Sequence, residues 1–549
     1  MTQSRIGFRV LPLVALSLVA PLFCSPATAK EPTPKAPGAL SAPLAVRWKF
    51  TGVPFGNNPA SPVLSDGTLY FASGTRIYAV DAETGTQKWR YPKDTLLTSP
   101  VLSTPAISKG TLYFGTGDGL YALDASNGKQ RWAPSNAKFG CSTSPIIVDN
   151  NVYFGSGDQK IYAVNATSGE PNLTIWSNGK RAGREIGGDF AGNIVATNDT
   201  FFFVTGDQVL RAVSINSATL RWAQRLNATA ATVTPTLSGD GIYVAIGDMV
   251  YGYRVTTGQI RLSFNIANEA LTSPAVDGDG NIYAINAERF VISISPRGRP
   301  NWKQVPRLEH EPIAPPIIKD GSIFIGTVLG GVYALDAQTG AIKWHYVVQP
   351  SSVDNAKIPV ATNVSATLVA NGNLLYALSD DGALTAFHST TKKQDSLAPT
   401  VTIDEPAQGA YLSGRHPFHI SAKVVDEGSG VMSSSVQLLL DGQPIARRAS
   451  ARTFSEKPGF SFDGDTGELE YNILENDTGQ RTNLADGHHK LTIVAQDWLG
   501  NTASKSWTFF VDDTIRQKTK KKNNTTNGLR GGAGGPGGSK GGGGGGGGG

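Results

Sequence analysis

A chain of 549 residues with 40 % hydrophobic content has ample material for more than one packed core. Its formal charge of +5 misleads, because Arg5, Arg9 and the seven lysines and arginines after Ile515 exceed that excess and leave the body between them net acidic. A basic folded face of the kind that binds nucleic acid is thereby excluded, and two cysteines exclude a disulfide-built scaffold.

Residues 1–29 have the build of a secretory signal. Arg5 and Arg9 precede an apolar run from Val10 to Phe23, and Ala27-Thr28-Ala29 supplies a small-x-small cleavage pattern. The run is short and broken by Pro12 and Pro21, which argues against an anchor, and no later stretch is long and apolar enough to cross a bilayer. Phe23 before Cys24 fits a lipidation signal poorly. The expected product is secreted, periplasmic or cell-surface, with residues 30–43 as a flexible lead-in. Loss of Cys24 leaves Cys141 as a lone thiol, expected to be a small buried side chain.

From residue 44 to 390 one pattern recurs. It reads SDGTLYFASGTRIYAVDAETGTQKWRY from Ser65 to Tyr91, SKGTLYFGTGDGLYALDASNGKQRW up to Trp132, and KDGSIFIGTVLGGVYALDAQTGAIKW up to Trp344. A repeat of about 40 residues signals stacked supersecondary units. Each unit holds apolar or alternating runs such as TLYFA and IYAVD, which are strand patterns. Turn dipeptides separate them, among them Asp66-Gly67, Asp118-Gly119, Asn127-Gly128 and Asp320-Gly321. Four short antiparallel strands cannot bury both faces alone, and radial stacking solves this. The prediction is an all-β chain whose first domain is an eight-bladed β-propeller. Trp48, Trp89, Trp132, Trp176, Trp222, Trp302 and Trp344, with Phe264 filling the remaining gap, mark the outer strands at intervals of 38 to 46 residues. Their fixed place favours packing between blades over a stacking surface for sugars or bases. The eighth unit begins near Ser365 and reaches His388 without its tryptophan strand, so Val46–Phe50 is expected to close it.

The succession Asp-Gly, Leu-Tyr-Phe, Leu-Tyr-Ala-Leu-Asp-Ala, Thr-Gly, Lys-Trp resembles the PQQ-like β-propeller repeat family over about residues 44–390. The resemblance implies the fold and opens two functional branches. One holds quinone-dependent alcohol dehydrogenases; the other holds non-enzymatic propellers such as the outer-membrane assembly lipoprotein, whose propeller surfaces contact partner proteins. The enzymes carry a pair of adjacent cysteines, whereas Cys141 lies between Gly140 and Ser142, and no Cys-x-x-Cys-His haem motif occurs. A quinone-dependent dehydrogenase is the weaker alternative. Calcium is the one cofactor left open.

Three stretches supply candidate sites in the propeller. The irregular segment 179–185 holds Lys180, Arg181, Arg184 and Glu185, either a basic edge for an acidic partner or an ordinary charged loop. His310, between Glu309 and Glu311 and before Pro312, is expected in a solvated partner-binding loop, 305–316. Asp277, Asp279 and Asn281 alternate as calcium ligands do, with Glu288 at the twelfth position, yet Ile282 stands where a calcium loop needs glycine. A tight Asp-Gly hairpin accounts for the same residues.

Past a polar linker, 391–397, about seven short strands over 398–513 predict a β-sandwich. The Asp426-Glu427-Gly428-Ser429-Gly430-Val431 turn, the Asp486-Gly487-His488 turn and the Asp497 to Asn501 turn resemble bacterial immunoglobulin-like and cadherin-like domains. Asp426, Asp497 and Asn501 either gather around calcium or cap turns. An insertion, 453–479, carries Asp463, Asp465, Glu468 and Glu470 and is expected to cover an edge or contact a partner. The basic, glycine-rich tail 514–549 has a disordered composition, too poor in apolar residues to offset the entropy of ordering. These features predict an exported, non-catalytic binding or scaffold protein of the cell envelope, partnered by envelope or surface proteins. Surface-polysaccharide binding is the alternative.

Overall fold

In a computed structural model of the chain the described residues are 38–512 and 514, apart from 52–59, 102, 136–139, 177–187, 228–232, 349–362, 392–394, 414–417, 449–458 and 474–483. Residues 1–29, expected to be a signal, residues 515–549 of the tail, and Lys180, Arg181, Arg184 and Glu185 lie outside them.

Eight antiparallel sheets succeed one another between Leu44 and Ser389. In the first, Val63–Ser65, Thr68–Ser73, Arg76–Asp81 and Gln87–Tyr91 run in order, with Tyr70 opposite Ala79 and Ala79 opposite Trp89. Second strands such as Thr68–Ser73 and Thr111–Thr116 are buried at every residue, because a neighbouring blade covers each face. Short leading strands of successive blades lie side by side, so they form the hub and the tryptophan strands form the rim. Asp66-Gly67 and Asp320-Gly321 have positive φ at both residues, the paired conformation that suits a two-residue hairpin.

The ring closes as the sequence implies. Leu44–Thr51 runs antiparallel to Ala383–Ser389, with Trp48 opposite Ala386 and Phe50 opposite Leu384. Phe50 meets Phe71 and Tyr78 of the first blade edge-on, so the N-terminal strand also packs against the next sheet.

Five of the rim tryptophans perform the same task. The indole N–H of Trp48 donates to Ala82, that of Trp89 to Ala125, Trp132 to Ala166, Trp222 to Val255 and Trp302 to Ala337, always a carbonyl of the following blade. Tyrosines of the Leu-Tyr-Phe strands, Tyr376, Tyr70 and Tyr113, donate to the first three of those carbonyls. One buried carbonyl is thus satisfied by two aromatic donors from the preceding blade, which fixes the angle between sheets.

Two details differ from the sequence-based expectation. Phe264 does not occupy the tryptophan position: Leu262 does, paired with Gly252 as Trp222 pairs with Ala212. Alignment by aromatic character alone puts the mark two residues too far along. The sixth blade has three strands, Ala275–Val276, Ile282–Ile285 and Val291–Ile294, not four. Pro296, Pro300 and Pro306 remove ladder donors where the fourth strand would run, yet Trp302 still reaches its carbonyl.

The C-terminal part is a sandwich. One sheet contains Thr400–Glu405, Phe418–Val425, Glu468–Ile473 and Phe460–Phe462. The other contains Tyr411–Leu412, Thr502–Val511, Gly487–Gln496, Gln437–Leu440 and Gln443–Ile445. Between them lies a core that includes Ile420, Leu438, Leu469, Leu491, Ile493, Trp507 and Phe509. Among the described residues nine strands replace the seven expected, since the edges include two- and three-residue pieces.

Candidate functional site

The eighth blade has no counterpart of the glycine-bearing turn, such as Asp81-Ala82-Glu83-Thr84-Gly85 or Asp336-Ala337-Gln338-Thr339-Gly340, that receives a preceding tryptophan elsewhere in the ring. Trp344, fully buried, donates instead to Ser429 of the sandwich at 2.8 Å. Trp498 of the sandwich answers by donating to the His345 carbonyl at 3.0 Å, and Gly430, at φ +85°, brings its backbone so close that a Cβ would lie 2.8 Å from that same oxygen. The sandwich therefore stands in for a missing blade contact. The seam falls at the rim of blade seven, away from the hub.

Four ionisable groups converge in this seam. His310 enters from the loop between blades six and seven, and His345 from the rim strand Ile342–Val347. Asp463 and Asp465 come from the turn between Phe460–Phe462 and Glu468–Ile473, in the insertion. His310 Nε2 lies 3.0 Å from Asp465 Oδ2 and 3.4 Å from Asp463 Oδ2, while His345 Nε2 lies 2.5 Å from Asp465 Oδ1. His310 and His345 are each 4 % exposed and Asp465 is 2 % exposed. Yet both ring nitrogens of His310, Nε2 of His345 and Oδ2 of Asp465 have no partner in hydrogen-bond geometry.

The surroundings hold these groups firmly. Gly464 N–H donates to Glu309 Oε2 at 2.9 Å, and Asp463 Oδ1 accepts from the backbones of Asp465 and Thr466, which fixes the turn. The Tyr333 ring stacks on the His345 imidazole with centroids 4.1 Å apart. Gly331 and Gly464 are small by necessity, since a Cβ on the first would sit 2.9 Å from Asp465 Oδ1 and on the second 2.9 Å from Glu309 Oε2. Burial drives the His345 pKa down to about 3, so that imidazole is neutral. Burial also raises the Glu309 carboxyl above its usual range. Burial works against ionisation of Asp463, but the adjacent His310 and the Thr466 N–H hold its pKa low.

A second carboxylate group lies nearby. Asp426 and Asp497, expected together from the sequence, are joined by Asp395 of the linker, their oxygens within 4.8 Å of one another. Asp497 accepts from the backbones of Leu499 and Asn501 and from the Asn501 amide; Asp395 accepts from Ser429 N–H, and Asp426 from Gly430 N–H. Burial, then Asp395 and Asp497, push the Asp426 carboxyl up to about 6. The set organises the turn that receives Trp344. Its oxygen donors are of the type a calcium ion takes.

Other expected positions fare differently. Asp277 Oδ1 accepts from Asp279 N–H and Asn281 N–H, and its Oδ2 from the Asn281 amide and Tyr283 hydroxyl. Its oxygens serve a tight hairpin. His310 is a correction: it is buried against the sandwich, not solvated, because the insertion covers it. Cys141 is partly buried against Gly115, and burial raises its thiol pKa. His345 and Asp395 do not stand out in the sequence. The rim strand containing His345 carries a signal all the same, since WHYVV runs apolar where the first blade has the alternating QKWRY.

A family model described as outer membrane protein assembly factor BamB matches residues 39–245 and 206–416, more than half of the chain. The chain belongs to the PQQ-like β-propeller repeat family. A bacterial Ig domain model matches residues 399–493, on the sandwich. Over 142 residues the chain is 31 % identical to the outer membrane protein assembly factor BamB of Burkholderia pseudomallei, covering 26 % of this chain and 34 % of that protein. Over 224 residues it is 26 % identical to the tetrathionate hydrolase of Acidithiobacillus ferrooxidans, covering 39 % of this chain and 38 % of that one. The matches thus span little more than a third of these curated relatives. The crystal structure of BamB from Moraxella catarrhalis aligns at a TM-score of 0.50 and 17 % identity, over 63 % of this chain and 99 % of that one, a likeness of fold.

Proposed function

We propose that this PQQ-like propeller is an exported, non-catalytic scaffold of the cell envelope that associates with protein partners through its loops. The observation that carries the reading is the loop 305–316. Leu308 and His310 are buried and pin it, while Val305 and Ile313 stay 42 % and 43 % exposed on either side. A pinned loop presenting apolar side chains loses little entropy when a partner covers them. Similarity to assembly factors of the BamB type supports a protein ligand. No helix among the described residues is long and apolar enough to cross a membrane.

The test replaces Val305 and Ile313 together by glutamate in the full chain and compares photo-crosslinking in envelope extract. The expected result is loss of discrete protein adducts at unchanged Tm. Undiminished adducts, tetrathionate hydrolysis by the purified chain, or a bound quinone in its absorption spectrum would each defeat the reading.

A further inference from the structure

We propose that His310 of the propeller, with Asp463 and Asp465 of the sandwich, binds a divalent transition metal of the zinc class that fastens the two domains. One donor atom from each of the three residues lies within 4.8 Å of the other two, and His310 Nε2 is 3.4 Å from Asp463 Oδ2 and 3.0 Å from Asp465 Oδ2. Two come from one domain and one from the other.

Geometry separates this arrangement from an ordinary ion pair. Tetrahedral coordination at zinc–ligand distances of about 2.1 Å places neighbouring donors about 3.4 Å apart and about 35° off each other's bond axis. The separations here, 3.0 and 3.4 Å, fit that edge. Both are ion-pair distances, yet Nε2 has no partner in hydrogen-bond geometry although two carboxylates adjoin it. A buried imidazole nitrogen flanked by two carboxylates and hydrogen-bonded to neither is placed to share a metal with them.

Donor chemistry selects the metal. An imidazole with two carboxylates suits zinc and its neighbours, whereas calcium prefers an all-oxygen shell. One buried carboxylate, Asp465, and one partly buried one, Asp463, beside a single imidazole leave the seam short of positive charge, and uncompensated charge there is costly. His345 closes on the second oxygen of Asp465 at 2.5 Å, and Glu309 holds the Gly464 backbone. Such outer partners orient ligating carboxylates. A site this enclosed is structural, not catalytic.

The experiment uses the full chain, stripped with a chelator and titrated with zinc alone by calorimetry, then with cobalt(II) followed by visible absorption. Native protein is expected to bind one equivalent, to show the strong bands of tetrahedral cobalt, and to gain several degrees in Tm. His310→Gln and Asp463→Asn should each abolish the tight site and the Tm gain. His345→Phe should weaken it about 10–100-fold, the usual cost of losing an outer partner. Asp426→Asn, in the neighbouring carboxylate group, should leave zinc binding unchanged. Failure of the stripped native chain to bind zinc, or equal binding by the His310→Gln and Asp463→Asn chains, would overturn the proposal. Neither outcome depends on whether the loop 305–316 binds a partner.

Discussion

Where a rim tryptophan meets the next blade, as at Trp48, Trp89, Trp132, Trp222 and Trp302, the contact comes down to an indole, a carbonyl and a glycine. Trp48 donates to Ala82 and lies flat against Gly85, where a Cβ would come within 2.6 Å of the ring at a φ of +74°. Gly128 stands in the same relation to Trp89, Gly169 to Trp132 and Gly258 to Trp222. The Thr-Gly or Asn-Gly turn of the repeat therefore has two reasons for its glycine, while Gly67, with φ +67° and nothing within 4 Å, has only one. Gly67→Ala should cost about 1–2 kcal/mol for the left-handed backbone alone. Gly85→Ala should cost a further 1–3 kcal/mol or so, since the ring must move. Urea denaturation of both variants measures the difference; equal losses would mean that the indole contact contributes nothing.

Turns are the next scale, and their aspartates couple the fold to pH. Asp336 pairs with Lys343 and accepts from the Thr339 backbone and hydroxyl, which against burial hold its pKa at about 2. Ser126 and then Arg131 lower that of Asp124. For Asp81 burial opposes ionisation, but Lys88 and Thr84 outweigh it. A carboxyl whose folded pKa lies below its unfolded value of 3.8 adds stability above that value and loses it as pH falls through the folded pKa. Tm should hold steady with respect to these turns down to about pH 4 and fall between about 4 and 2. In Asp336→Asn that fall should be shallower, and an unchanged acid limb would contradict the assignment. These turns are readable from the sequence because a turn is local. The missing fourth strand of blade six is not, since prolines forbid a ladder without saying what replaces it. Leu262 in a tryptophan slot escapes notice because register depends on the partner strand.

At the scale of the molecule, ring and clasp are legible, for Val46–Phe50 and the incomplete eighth unit imply each other. The seam is not. His310 looks solvated between two glutamates because the segment that buries it lies some 150 residues further along the chain. His345, directly after a rim tryptophan, makes sense only once Trp344 is seen to donate its N–H to Ser429. Through that bond the propeller borrows its last rim contact from a second domain, and the two are expected to move as one body. Hydrogen–deuterium exchange on the full chain tests this most directly. Residues 426–430, 463–467 and 344–346 should be protected as strongly as the blade cores, and Gly430→Ala, which drives a methyl group into the His345 carbonyl, should release all three together while blades one to five stay protected. If those segments exchange at the rate of open loops in the native chain, the two domains are merely tethered and the account fails.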